Sequence, residues 1–140
     1  MLNCDGMAGK LSIIMFSGTA DKFIPLGVLS QAATAMGMEM NIFVTGFALV
    51  GFVKGKSELP FPVEFQNMAP KLIEGMKKNN VAPWYDMVKE AKGMGAHIYA
   101  CSMMSGVMGL SKNDFDPIVE DIVGAATFLQ KAEGGQTLFI

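Results

Sequence analysis

The chain has 140 residues; 51% are hydrophobic and 17% charged, and 11 basic against 13 acidic residues give a formal net charge of −2. That balance excludes disorder, which needs low hydrophobicity and high net charge, and argues against a nucleic-acid binder, which carries a basic excess. A chain this long buries roughly 70% of its unfolded surface, so residues 1–140 read as a single domain whose core needs no disulfide or metal staple.

Residues 1–9 read as a polar leader that frays, with Cys4 an incidental thiol inside it. The leader has no basic stretch followed by an apolar one, so no secretory signal is expected. Lys10–Phe16 (KLSIIMF) is a short apolar run stopped by Ser17-Gly18-Thr19, the pattern of a strand buried on both faces of a parallel sheet. From Ala20 to Met36 apolar residues recur at helical spacing, at Phe23, Leu26, Leu29 and Ala33. Thr19 or Asp21 caps that helix, Pro25 falls near its first turn, and Gly37 ends it. Asn41–Thr45 (NIFVT) is β-branched and aromatic, a second strand that completes a right-handed βαβ unit.

Gly46–Val53 (GFALVGFV) reads as the start of a second helix. Lys54–Gln66, with Pro60 and Pro62, breaks periodicity and reads as a long mobile loop that screens the Cys101 edge or a neighbouring subunit. Ala69–Lys78 and Trp84–Met94 are short helices, opened by Pro70 and Pro83, and Gly95 stops the second. Ala96–Ala100 is a third strand with Cys101 at its end, and Ser102–Leu110 is a helix. Ile118–Val123 holds a short strand, Ala125–Ala132 is helical, and Thr137–Ile140 is a terminal strand. Strands alternating with helices predict an α/β domain, a three-layer α/β/α stack on a mostly parallel sheet of four to five strands. The longest apolar-looking run, Ile42–Val53, has twelve residues where a spanning helix needs about 20, so no membrane association is expected.

In open parallel sheets, ligands bind beyond the carboxyl ends of the strands. Ser17–Asp21, Thr45–Phe47 and Cys101–Ser105 all reach that edge, and only the third holds a strong nucleophile. Cys101 ends a strand and starts a helix, where unpaired backbone N–H groups and the positive helix end favour thiolate over thiol. Position alone leaves open an inert cysteine packed as a small hydrophobe. Several cysteine chemistries drop out. All eleven basic residues are Lys, so no Arg exists to hold phosphate in a C-x5-R loop. No second cysteine stands near enough for a dithiol motif. His97, the only histidine, lies four residues earlier on the same strand, roughly 13 Å away at about 3.3 Å per residue.

Ser17, Gly18 and Thr19 form a turn whose backbone N–H groups could cradle an anion, and Ser102, Met103 and Met104 flank the thiol; these six are the candidate substrate-binding residues. The turn lacks the spacing of a P-loop or a dinucleotide fingerprint. Thirteen methionines, including Met36, Met38, Met40, Met103, Met104 and Met108, suit core and interface packing, with Cu(I) ligation the other reading. No metal or cofactor is expected.

The segments KLSIIMFSGTADKF, EMNIFVTGFAL, AHIYACSMMSGVMGL, DIVGAATFL and the terminal TLFI resemble the DsrE/DsrF-like family, over about Lys10 to Ile140. The strand-end Tyr99–Met103 with Met108–Leu110 is the most specific element, supported by Ser17–Lys22. The resemblance implies a doubly wound fold, homo-oligomers, and a single cysteine that carries sulfane sulfur as a persulfide. That cysteine maps onto Cys101. The implied partners are sulfur donor and acceptor proteins of rhodanese-like and TusA-like kinds, with no nucleic acid and no membrane, in the reducing cytoplasm. Two other functions compete with this sulfur-trafficking, sulfurtransferase-like role. One is a Cys101-dependent thiol peroxidase or redox sensor. The other is a non-enzymatic module for a small ligand or soft metal. The apolar composition points to a homo-oligomer, with Gly46–Val53 and Ser102–Leu110 as contacts.

Overall fold

A computed structural model of the chain describes residues 9–55 and 58–140. Cys4 and the leader around it lie outside the described residues, apart from Gly9. Five strands, β1 (Lys10–Met15), β2 (Glu39–Val44), β3 (His97–Cys101), β4 (Asp121–Val123) and β5 (Gln136–Phe139), form one sheet in the order β4-β3-β2-β1-β5. Every pairing is parallel. All five carboxyl ends therefore meet at one edge.

Alternation along the strands sends side chains to two faces. On the front, Leu11, Ile13 and Met15 of β1, Met40, Ile42 and Val44 of β2, and Ile98 and Ala100 of β3 join one core. Helices α1 (Ala20–Ala35) and α3 (Trp84–Gly93) close it with Phe23, Leu26, Val88 and Ala91. On the back, Phe43, Tyr99 and Cys101 pack under α5 (Ala125–Ala132) through Phe128 and Ala132. The result is the expected α/β/α stack, and the sheet is parallel throughout.

Several local expectations need correction. Pro25 is the sixth residue of α1, beyond the first turn, so it leaves the carbonyl of Asp21 without its helical partner. Thr19 is the N-cap, but its hydroxyl donates to Asp21 Oδ1 at 2.6 Å and caps no amide. The Ala20 N–H donates instead to the Pro60 carbonyl at 2.8 Å. Gly46–Phe52 is a 3-10 helix, not the start of an α-helix. Gly46 sits at φ +54° against the Phe16 ring, which leaves no room for a Cβ. The segment puts Ala48, Leu49 and Phe52 into the core and leaves Phe47 outside.

The described part of 54–66 lies on the front of the sheet. Val53 bridges to Phe115, Lys54 N–H donates to the Asp114 carbonyl at 2.9 Å, and Leu59 packs on the front core. It covers the start of α1 rather than the face into which Cys101 points. Beyond it, α2 (Ala69–Lys78) is a surface helix with no buried residue. Among the described residues, no helix is long and apolar enough to cross a membrane.

Candidate functional site

Cys101 is the last residue of β3 and the N-cap of α4 (Ser102–Val107). Its backbone is extended, φ −69° and ψ 123°, which turns the chain from strand to helix within one residue. The side chain points to the back face and is 5% exposed. It packs with Phe43, Tyr99, Phe128 and Ala132, and with Met104 and Val123 at the rim. The Phe43 and Phe128 rings stack at 4.7 Å and tie α5 to this spot. Cys101 is a free thiol, and its side chain makes no cap hydrogen bond.

The helix that follows has six residues, not nine. Gly109 takes φ +68°, its N–H donates to Gly106 O, and the Leu110 N–H donates to Ser105 O at 2.8 Å. This is the paired 5→2 and 6→1 closure of a Schellman stop. A helix this short supplies little dipole, so the electrostatic help expected for a thiolate at Cys101 shrinks with it. Ser105, one turn along α4, is 2% exposed, and its hydroxyl has no hydrogen-bond partner among the described residues.

Ser102, Met103 and Met104 stay with Cys101 by connectivity. Ser102 and Met103 face solvent, while Met104 packs on both cores. Ser17, Gly18 and Thr19 do not join them. They follow β1, which is separated from β3 by β2, about 10 Å at the usual strand spacing. Their groups are engaged in the fold: Ser17 N–H donates to the Ile140 carbonyl at 3.2 Å, and Thr19 is held to Asp21. A Cβ on Gly18 would stand 2.8 Å from the Cβ and carbonyl oxygen of Phe47, so this turn is pressed against the segment after β2. His97 begins β3, at the opposite end from Cys101, with Nδ1 2.9 Å from Glu120 Oε1. Lys92 Nζ donates to the same oxygen at 2.8 Å. Burial pushes the Glu120 carboxyl up, but the hydrogen bonds and charges of Lys92 and His97 outweigh it and hold the group below its ordinary value.

Two features were not read from the sequence. One is the buried Ser105 hydroxyl, which looks like any polar helix residue until the helix is docked. The other is a cavity of about 650 Å³ on the front face, lined by Leu59, Phe61, Trp84, Tyr85 and Asp116. Its signal was the Pro83-Trp84-Tyr85 cluster, which reads equally well as core.

A parallel five-stranded sheet covered on both faces, with one described cysteine at a strand-to-helix junction on the carboxyl edge, defines a small doubly wound α/β protein. The chain matches the DsrE/DsrF/DrsH-like family over residues 52–140 and belongs to it. It is 31% identical to the uncharacterized protein YrkE of Bacillus subtilis, across 94% of this chain and 96% of that one. Two solved structures share the fold. The YchN protein of E. coli superposes with a TM-score of 0.61 at 10% identity, covering 94% of this chain and 97% of its own. MTH1491 of Methanobacterium thermoautotrophicum, a protein of unknown function, superposes with 0.58 at 13% identity, covering 94% and 99%.

Proposed function

We propose that the protein is a sulfur carrier in which Cys101 accepts sulfane sulfur and yields it to a partner thiol. The observation that carries this reading is the placement of Cys101 at the β3–α4 junction of a DsrE-like fold, on the edge where parallel sheets bind ligands. The thiolate is the nucleophile. It attacks the outer sulfur of a donor persulfide, R–S–SH. A bond forms between that sulfur and Cys101 Sγ, the donor S–S bond breaks, and the donor leaves as R–S⁻. The product is Cys101-S-SH. An acceptor thiolate then attacks the outer sulfur, takes it, and returns Cys101 to the thiolate. No net oxidation occurs in either step, because one S–S bond replaces another.

The burial of Sγ adds a requirement. The first turn of α4 must swing outward for a donor to reach the sulfur. The whole of α4 is only six residues long, with Ser102 and Met103 exposed, which makes it a weakly anchored wall of the site. The donors and acceptors in this reading are proteins of rhodanese-like and TusA-like kinds, met in the cytoplasm. The protein acts as a homo-oligomer. Phe47, Phe139, Met103 and Val107 support that part of the reading, each more than half exposed at or near the carboxyl edge.

The test is mass spectrometry of the purified chain after incubation with polysulfide or a donor persulfide. Increments of about 32 Da, one sulfur each, are expected on the peptide containing Cys101. Loading of Cys101→Ser to the wild-type level would overturn the reading.

A further inference from the structure

The front-face cavity is separate from the pocket around the Cys101 side chain. Its walls belong to the other core, across the sheet from the Cys101 side chain. At about 650 Å³ it has the size of a small-molecule site. It is roofed by the segment after β2, through Leu59 and Phe61, and walled by the first turn of α3, through Trp84 and Tyr85.

The wall is rigid. The Trp84 ring packs 4.5 Å from Phe23 and 5.4 Å from Phe52, both fully buried, and meets Tyr85 edge-on at 5.8 Å. The polar groups are rigid too. Asp116 Oδ1 accepts the Ile118 N–H at 3.0 Å, and Oδ2 accepts the Tyr85 hydroxyl at 2.9 Å. The carboxylate is thereby fixed in direction, and each oxygen keeps a lone pair for a ligand. Glu58 adds a second carboxylate, and no lysine or histidine is among the described residues lining the cavity.

Aromatic faces and a fixed carboxylate, with no cation among the described residues lining the cavity, are together complementary to one class of molecule. We propose that this cavity binds an organic cation: a compound with an aromatic or aliphatic body and one protonated nitrogen. The nitrogen meets Asp116 and Glu58, and the body lies against Trp84 and Phe61. A smaller hollow of about 210 Å³ shares Phe61, Ile73 and Trp84 and extends the apolar part of the site. Lys77 lines that annex, so its charge disfavours a second cationic end and selects monocations.

Trp84 is the only tryptophan in the chain, so its emission reports occupancy. The full-length protein is titrated with 2-phenylethylamine, 2-phenylethanol and 3-phenylpropionate at neutral pH. A saturable emission change is expected with the amine, binding at least about tenfold weaker with the alcohol, and none with the acid. Asp116→Asn keeps an oxygen for the Ile118 N–H and is expected to weaken the amine while leaving the alcohol unchanged. Equal affinity for amine and alcohol, no saturable response to the amine, or wild-type amine affinity in Asp116→Asn would each overturn the proposal. The wild-type ratio of amine to alcohol decides the matter even if Asp116→Asn does not fold.

Discussion

Buried polar and aromatic groups set the residue-scale behaviour. Tyr85 and Tyr99 are the two tyrosines of the chain. Burial is the largest cause that raises both phenols above the usual 10.0; the hydrogen bond and charge of Asp116 add to it at Tyr85, and Glu120, Glu39 and Asp121 at Tyr99. The folded state thus favours the protonated phenol. Their contribution to stability is complete below pH 10 and is lost as pH rises through the raised folded values. Spectrophotometric titration of the native protein is expected to show phenolate appearing at higher pH than in the urea-unfolded chain. Coincident curves would contradict this. The Ser105 hydroxyl leads to a second expectation. An unsatisfied buried hydroxyl costs about 1–3 kcal/mol, so Ser105→Ala should leave the urea midpoint unchanged or raise it. A clear loss of stability would mean that the hydroxyl has a partner in solution. Of the residues around the thiol, Cys101 itself was legible from the sequence, because a lone nucleophile at a strand end has few other readings. Its neighbours Phe43 and Phe128 were not, since they come from β2 and α5 and meet only when both cover the back of β3.

At the scale of elements, the helix stops carry the most information. Gly109 closes α4 at a backbone angle that other residues adopt at a cost of about 1–2 kcal/mol. Gly109→Ala is expected to destabilise the protein by about that amount in urea unfolding, and to speed the alkylation of Cys101 by loosening α4. Faster alkylation with no stability change, or the reverse, would separate α4 from access to the sulfur. The expected helix Ser102–Leu110 runs three residues beyond the observed one, Ser102–Val107. Leu110 is the residue after the stop, folded back onto the front core. The cluster of Lys92, His97 and Glu120 ties the end of α3, the start of β3 and the approach to β4. Glu120 is held below its ordinary value, so its contribution is present above about pH 4.5 and lost as pH falls through the lowered value. Glu120→Gln should remove at most about 1 kcal/mol at neutral pH, since the pair is partly exposed, and should flatten the acid limb of stability. An unchanged acid limb would exclude this cluster as its source.

The whole molecule leaves an uneven surface. The front of the sheet lies under two helices, while the back has one eight-residue helix. The residues of β5 are all exposed, and β5 is an edge strand, with Phe139 stacked on Phe16 at its end. Apolar area of this kind on a domain of 15.0 kDa is what a subunit interface would cover. Light scattering is expected to give a multiple of that mass, and Phe139→Glu to reduce it while preserving the circular dichroism of the fold. A wild-type mass of one chain at every concentration would remove the oligomer from the functional reading.

The sequence by itself determined the class of the fold and pointed to the residue on which the proposed chemistry rests. Short apolar runs, each stopped by a turn and followed by helical spacing, point to a mostly parallel sheet with crossover helices. A chain with one histidine, no arginine and two cysteines leaves Cys101 as the one strong nucleophile on the carboxyl edge. Strand order was decided by the tertiary structure, and with it the separation of Ser17–Thr19 from Cys101. Local pattern records that a strand exists but not which neighbour it pairs with. The close approach of Phe16 to Gly46, at the start of the 3-10 segment, is likewise a contact between residues thirty positions apart. The burial of Cys101 and the cavity beside Trp84 were decided in the same way. Each needs three or more elements to close around a space, and no residue's own sequence neighbourhood holds that information.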